Sequence, residues 1–251
     1  MVSKPIEPIP KSLRGKTCYA CPKQATTMDH VPPQFLFPEQ EDLGHKYGNL
    51  RLNLITVPAC KQHNTEQSGD DTYFTIFVVT NQRNNEIAQD YFSTKIERTI
   101  DKDPQVARWY AEAIYGHGPP IKQVGRLDRV RFDRCVNKIV KGLYYKITGR
   151  KILAATISGI HYPDLFLDDP RFLFFKRVFE REYSQHDRYF VRYPSGSPRV
   201  FSAEYFLDIA QPHRFVFKMK FYEGFRVWVV NDDPVLNTAG IQSSVQGSVR
   251  Q

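Results

Sequence analysis

The chain has 251 residues, of which 41% are hydrophobic and 14% aromatic, and this apolar content excludes wholesale disorder. Its 35 Lys and Arg outnumber its 27 Asp and Glu, which gives a net charge of +8. Such an excess favours a polyanionic partner, most often nucleic acid. No apolar run approaches the ~20 residues that cross a bilayer, and the N-terminus lacks the apolar core of a secretory signal. We therefore expect a cytoplasmic protein without membrane association.

The N-terminal half is predicted to contain a polar segment followed by helices. Residues 1–14 bear Pro and Lys without periodicity and predict a flexible arm, whereas residues 15–75 hold two Cys-containing pairs. Residues 76–118 are predicted to be helical, because apolar side chains recur at helical spacing from Asp71 onward and again from Ile87 to Ile100. A further helix is expected after Asp103-Pro104, since Pro suits the first helical turn. The Gly- and Pro-rich residues 116–120 predict a linker.

The C-terminal half is predicted to be an α+β domain over residues 119–238, of unknown role. Apolar residues at helical spacing between Val136 and Ile147 predict a long amphipathic helix that ends at Gly149. Alternation then predicts a hairpin, with strands at 215–221 and 225–230 joined at Glu223-Gly224. Further strands are expected at 189–193 and 205–209, and a disordered tail at 239–251. The predicted fold class is α+β with a C-terminal antiparallel sheet.

Four residues have the spacing of a structural zinc site. A C-x2-C pair is echoed by a C-x2-H pair, and together they offer three thiolates and one imidazole, namely Cys18, Cys21, Cys60 and His63. A redox role for the first pair is the alternative, but a turn follows this pair where a redox motif would open a helix. Cys135 lies on an apolar helical face and is interpreted as an ordinary buried thiol.

The segment between the two pairs reads Thr27-Met28-Asp29-His30-Val31-Pro32-Pro33, and the second pair continues directly into Asn64. This order resembles the zinc-knuckle branch of the HNH endonuclease family. The resemblance covers roughly residues 17–74, about a quarter of the chain. It implies a small zinc-stabilised ββα-metal module, in which a β-hairpin and a helix surround a catalytic divalent ion.

The resemblance also implies roles for individual residues. His30 matches the general base, and Asp29 and Asn64 match ligands of the catalytic metal. The family's middle Asn orients the base from the second strand, and Asn53 is our choice for it, with Asn49 as the alternative. Two features depart from the family. His63 replaces the usual fourth Cys, and the Lys that often follows the final Asn is absent.

The chemistry of these residue types agrees with phosphodiester hydrolysis. Histidine suits the base because its ordinary pKa of ~6.5 leaves it mostly neutral near pH 7. A hard ion such as Mg²⁺ or Mn²⁺ prefers oxygen ligands, which Asp29 and Asn64 supply. Because successive side chains of a strand alternate between faces, we expect a turn or distortion at Asp29-His30, helped by the Pro32-Pro33 pair.

Several alternative interpretations stay open at this point. His30 could be a structural histidine, Asn64 could cap the following helix, and His63 could exchange duties with Asn64. Asp70 and Asp71 are interpreted as first-turn acids favoured by the helix dipole. Two roles are weighed equally for one basic cluster, a phosphate-facing stripe and a solvated helix face; the cluster comprises Arg126, Arg129, Arg131 and Arg134.

The leading hypothesis is a metal-dependent DNA endonuclease, with RNA as the alternative substrate. The C-terminal domain would supply binding, targeting or assembly with a second copy or a partner protein. By analogy alone, such an arrangement suggests prokaryotic restriction, phage defence or a mobile element. The rival hypothesis, from a different class, is a non-catalytic zinc-ribbon protein that binds nucleic acid or acts as an adaptor.

Overall fold

A computed structural model describes residues 10–115, 128–152, 157, 159–163, 177, 180–181, 184 and 186–231. Most of the predicted arm, the linker at 116–120 and the tail at 239–251 lie outside these residues. Within the part of the chain that is described, none of the helices combines the length and apolar character needed to cross a bilayer.

Two short antiparallel strands form the N-terminal sheet. Strand β1 spans Thr27–His30 and strand β2 spans Thr56–Ala59, with Asp29 opposite Val57 and His30 opposite Thr56. The pairing is regular through His30, and the chain turns only from Val31 onward. The distortion expected at Asp29-His30 is therefore absent, because the ladder with β2 continues across both residues.

Four helices follow the small sheet. Helix α1 spans Ser68–Val79. A nearly continuous helical segment then runs from α2 (Glu86–Tyr91) through a π-helical stretch (Phe92–Ile96) to α3 (Glu97–Lys102). Helix α4 spans Pro104–Tyr115, and the Asp103 side chain before it accepts a hydrogen bond from Gln105 N (2.9 Å). All three predicted helical segments are confirmed. The boundary predicted between residues 75 and 76 falls within α1.

Helix α5 is the longest element and spans Arg129–Thr148. The Asp128 side chain caps its first turn by accepting a hydrogen bond from Arg131 N (3.2 Å). Gly149 ends it in the left-handed conformation (φ 68°), as the sequence predicted. Its apolar face contributes several fully buried side chains, including that of Cys135.

The C-terminal sheet has five antiparallel strands in the order β3-β7-β6-β5-β4. They are β3 (Gly159–His161), β4 (Val191–Tyr193), β5 (Phe201–Leu207), β6 (Phe215–Phe221) and β7 (Phe225–Asn231). The β6–β7 hairpin and the α+β class are confirmed. The strand predicted at 205–209 begins earlier, at Phe201, which pairs with Phe221 of β6. It also ends earlier, because Asp208 accepts hydrogen bonds from Ala210 N (2.8 Å) and Gln211 N (3.1 Å) in a turn.

One hydrophobic cluster joins the N-terminal segment, the helices and the sheet. Helices α1 and α5 pack on each other and α1 packs on the sheet, since the Phe74 ring centroid is 4.7 Å from that of Phe132 and 5.3 Å from that of Phe221. The Phe132 ring also meets that of Phe225 (5.9 Å). The Cys-rich segment is thus packed against the body of the protein.

Helix α5 also approaches the turn after β1 very closely. A Cβ atom built on Gly142 would lie 2.6 Å from Cγ2 of Val31, whereas one on Gly69 in α1 would meet its nearest neighbour, Arg131 Nη2, at 3.7 Å. Only a residue without a side chain therefore fits at position 142. This contact fixes the distance between α5 and the end of β1.

We expect Gly142→Ala to lower the free energy of unfolding by about 1–3 kcal/mol, because the added methyl group must displace Val31. Gly69→Ala is the matched control in a helix, and there we expect no loss, since the methyl group makes ordinary contacts. Urea unfolding followed by circular dichroism measures both. Equal stability of the two variants would contradict the close approach.

Candidate metal centre and buried ion cluster

The two Cys-containing pairs come together at one point. The ligand atoms of four residues lie within 4.8 Å of one another, and these are Cys18, Cys21, Cys60 and His63. The first pair lies in a turn closed by the hydrogen bond from Cys18 N to Lys23 O (2.8 Å). The second pair begins directly after β2, in a 3-10 turn. Among the described residues no other group of three or more His, Cys, Asp or Glu side chains is placed to share an ion.

The spacing of these four side chains fits a tetrahedral zinc ion. Zinc bonded to sulfur and nitrogen at its usual lengths places two sulfurs about 3.8 Å apart and a sulfur and a nitrogen about 3.6 Å apart. The Sγ atoms of Cys21 and Cys60 are 3.8 Å apart, and His63 Nδ1 lies 3.6 Å from Cys18 Sγ and 3.3 Å from Cys60 Sγ. The group could therefore hold zinc through three sulfurs and Nδ1.

The position of His63 bears on an alternative left open by the sequence. Its Nδ1 atom lies among the sulfurs, so it does not exchange duties with Asn64. Burial raises the pKa of the Cys18 thiol to about 11. The thiolate that zinc requires therefore forms at neutral pH only when a cation is bound close to it.

A second cluster of charged side chains lies beside the first, and it is buried. Lys138 of α5 places its Nζ atom 2.7 Å from Asp71 Oδ2 and 3.3 Å from Asp29 Oδ2. The Tyr19 hydroxyl donates to the same Asp29 oxygen (3.5 Å), and Cys135 Sγ donates to Asp71 Oδ1 (3.6 Å). The Lys138 side chain is only 2% exposed and that of Asp29 5%. One ammonium group therefore links β1, α1 and α5.

The attraction between the opposite charges of this cluster offsets the free-energy cost of removing them from water. Burial raises the pKa of Asp29 to about 6, although the charge of Lys138 acts in the opposite direction. Burial also lowers the pKa of Lys138, but Asp71 and Asp29 outweigh it and the net shift is upward. Lys138 thus stays protonated, and it is the cation that keeps two buried carboxyl groups compatible with folding.

The sequence did not reveal Lys138 as a functional or structural residue. Its neighbours Val136 and Ile139 carry the apolar pattern of α5, and a Lys between them is commonly exposed. The available signal was its spacing, because Lys138 lies three residues after Cys135 and four before Gly142 on one helical face. Asp71 does lie in the first turn of α1, but it also pairs with Lys138.

His30 is half-buried at the end of β1. Because it follows Asp29 in a regular strand, the two side chains point to opposite faces. Burial, and then the positive charges of Arg51 and Lys138, lower the pKa of His30. Its imidazole is consequently neutral at neutral pH. The positive charge of Lys138 lowers the pKa of both His30 and Asp29.

Asn64 is held against β1. Its Nδ2 atom donates to Thr27 Oγ1 (2.9 Å) and to Met28 O (3.3 Å), one residue before Asp29. Its side chain makes no capping hydrogen bond to the turn that follows, so the capping interpretation is wrong. The Asn64 side chain instead joins the end of the second Cys-containing segment to β1.

Asn53 and Asn49, the two candidates for orienting His30, do not lie on β2. The sequence placed Asn53 on the second strand, whereas the structure places it, exposed and with φ 55°, in the turn before β2. Asn49 accepts a hydrogen bond from Arg51 N (3.0 Å) within that region. The strand position opposite His30 is occupied by Thr56 instead. Neither Asn is on β2, because the strand begins only after the chain has left its turn.

The described Arg side chains of the basic cluster make ion pairs, and those of Arg129 and Arg134 stay about half exposed, which is compatible with both roles weighed from the sequence. Arg131 Nε lies 2.7 Å from Asp70 Oδ1, its guanidinium stacks 4.1 Å from the Trp109 ring, and Arg134 pairs with the same Asp70. Arg129 pairs with Asp133 (3.3 Å). Arg126 is outside the described residues. Arg131 and Arg134 attach α5 to α1, and Arg129 reaches β3 by donating to Ile160 O (3.2 Å).

No protein-family model, curated protein or solved structure matches the chain.

We expect Cys18→Ser to lower the zinc content to well below one equivalent and to reduce the thermal midpoint, because the metal contributes to folding of this segment. Zinc released from purified protein by a thiol-reactive mercurial measures the first effect. Cys135→Ser is the matched control, since Cys135 lies outside the four-residue cluster. A Cys18→Ser protein with parental zinc content and thermal midpoint would contradict the site.

We expect Lys138→Met to lower the free energy of unfolding by about 3–5 kcal/mol, because it leaves two buried carboxyl groups without their cation. Urea unfolding at pH 7 measures the loss. Adding Asp71→Asn to this variant should restore part of the stability, since one uncompensated carboxylate is removed. Lys220→Met, at an exposed position of β6, should change stability by less than about 0.5 kcal/mol. A Lys138→Met protein as stable as this control would contradict the ion cluster.

Proposed function

We propose that the protein is a metal-dependent endonuclease of the HNH type that hydrolyses nucleic-acid phosphodiester bonds. The observation that carries this proposal is the hydrogen bond from Asn64 Nδ2 to Thr27 Oγ1 (2.9 Å), which brings the final Asn of the motif to the strand that bears Asp29 and His30. Asn64 is thereby brought to the strand segment of Asp29, and the His30 side chain lies on the opposite face of that strand.

The order of elements supports the same proposal. Two antiparallel strands precede helix α1, as in the ββα-metal arrangement that the sequence motif implies. The Cys and His cluster adjoins the end of β2, where a structural zinc ion would fix the loops around the candidate site. A pure zinc-binding segment does not require an Asp-His pair beside an Asn.

His30 is the proposed general base. Its lowered pKa leaves the imidazole able to accept a proton from water at neutral pH. The guanidinium of Arg51 lies close enough to act on His30, and a positive charge there favours an anionic phosphodiester. Arg51 is itself positioned by Glu39 and by Phe37 O, to which its Nε donates (2.8 Å).

Asp29 and Asn64 would hold the catalytic divalent ion, and their oxygens fit Mg²⁺ or Mn²⁺. Tyr19 and Lys138 both contact Oδ2 of Asp29, and the carboxylate also accepts a hydrogen bond from the backbone of His30, so the cation is proposed to bind at Oδ1. The amide nitrogen of Asn64 is engaged by β1, so its Oδ1 is the donor atom that remains. When bound, such an ion supplies Lewis-acid stabilisation of the leaving oxygen.

One observation favours the rival function. The Asp29 side chain is 5% exposed and paired with Lys138, which suits a structural role as well as metal binding. A non-catalytic zinc protein that binds nucleic acid or acts as an adaptor would need Asp29 only for folding. The two functions differ in whether the protein cleaves nucleic acid, and the proposed nuclease also requires His30 for that cleavage.

We expect His30→Asn to reduce the rate of plasmid cleavage at least ~100-fold in Mg²⁺ or Mn²⁺, because an amide cannot accept the proton of the attacking water. His45→Asn is the matched control: His45 is exposed, and its left-handed backbone (φ 63°) accommodates Asn. Gel analysis of supercoiled plasmid over time, repeated with RNA, measures the rates. Cleavage that survives His30→Asn would remove the base, and no cleavage of any substrate by the parent would favour the rival function.

A further inference from the structure

A cavity of about 440 Å³ lies between α5 and the two Cys-containing segments. One face of α5 lines it with side chains three, four or seven residues apart, and the opposite wall comes from the turns near the zinc cluster. The polar groups that matter are Arg134, Asn137, Lys138 and Lys141 on the helix, and Tyr19 and Gln67 opposite. The volume falls in the range of small-ligand sites.

The charges around this cavity are unequal. Of the described residues, three cations line it, whereas the one acidic side chain among them, Asp133, is already engaged by Arg129 and by the Tyr162 hydroxyl. Lys138 is balanced by the two buried carboxyl groups described above. Arg134 shares one carboxylate, that of Asp70, with Arg131. The wall of the cavity therefore carries an excess of positive charge.

Lys141 is the cation that accounts for this excess. Among the described residues it forms no hydrogen bond or ion pair, although its side chain is partly buried. Burial lowers its pKa, and no carboxylate offsets that effect as the Asp pair does for Lys138. A partly buried ammonium group without a counter-charge gains most from an anion that enters from solvent.

We propose that this cavity binds a phosphate group through Lys141, Arg134 and Asn137. An ammonium, a guanidinium and an amide on successive turns of one helix face supply the donors that phosphate oxygens accept. The anion site itself does not depend on the nuclease. Only its interpretation as a contact to the backbone of the substrate rests on the proposed function; a free nucleotide presents the same phosphate.

The test compares the zinc-loaded parent with Lys141→Gln in buffer without Mg²⁺ or Mn²⁺, where cleavage does not interfere. Fluorescence anisotropy of a labelled DNA duplex is measured from 0.05 to 0.3 M salt. Loss of one phosphate contact should weaken binding roughly eightfold at 0.1 M salt and reduce the slope of log K against log salt by about 0.9. Asn137→Asp, which adds a negative charge at nearly constant shape, should weaken binding as well. Lys220→Gln, outside the cavity, is the control.

A nucleoside monophosphate, measured by calorimetry with the same proteins, distinguishes the source of the phosphate. If Lys141→Gln binds the monophosphate more weakly than the parent but binds the duplex equally well, the result supports the site and assigns it to a free nucleotide. Weaker duplex binding with a reduced salt slope supports the backbone contact, even if the parent fails to cleave plasmid. Unchanged affinity of Lys141→Gln for both probes overturns the proposal, even if the parent cleaves.

A further measurement separates anion binding from a role beside the metal cluster. The charge of Lys141 also acts on His63. If Lys141→Gln loses zinc or thermal stability while its affinity for both probes is unchanged, Lys141 serves the cluster and the proposal is overturned. Parental zinc content together with weakened binding supports the phosphate site.

Discussion

The contact of one ammonium group with two carboxylates organises this protein. Lys138 reaches Asp29 on β1 and Asp71 on α1 from its position on α5, and all three are largely removed from water. Neither carboxylate could remain ionised there alone, because desolvation of an unpaired charge costs several kcal/mol. The small sheet and two helices are therefore held in one relative placement, with Gly142 allowing α5 to approach the turn at Val31.

Next to this cluster, the Cys and His side chains form a group of ligand atoms that can bind a cation, whereas the ion cluster has a cation of its own in Lys138. Three thiols and an imidazole within 4.8 Å of one another could hold a cation, whose charge would stabilise the thiolate form of the ligands. Zinc would supply it and would tie the turn after Thr17 to the end of β2. Two neighbouring centres, one with its own ammonium and one suited to a metal, thus fix the segment around Asp29 and His30 without a large core of its own.

The same arrangement gives the proposed catalytic groups different environments. His30 faces away from the buried carboxylates and is kept neutral by burial and by nearby positive charge. Asp29 is directed inward, where Lys138 and Tyr19 hold one of its oxygens. Asn64 is held against the same strand by its hydrogen bond to Thr27. A base and an oxygen donor that belong to adjacent residues can in this way perform separate tasks, because the strand directs them to separate faces.

Local patterns in the sequence determined the helices, the β6–β7 hairpin and the Cys and His residues of the candidate metal group, since each depends on residues a few positions apart or on paired spacings. The turn at Asp208, the exposed placement of Asn53 and the short strand β3 were less accessible, because their signals are weak or brief. Only the tertiary structure decided that Lys138 meets Asp71, 67 residues away, and that Asp29 is buried with them. Helical periodicity cannot show whether a Lys on an apolar face has a partner, because that partner lies on another element.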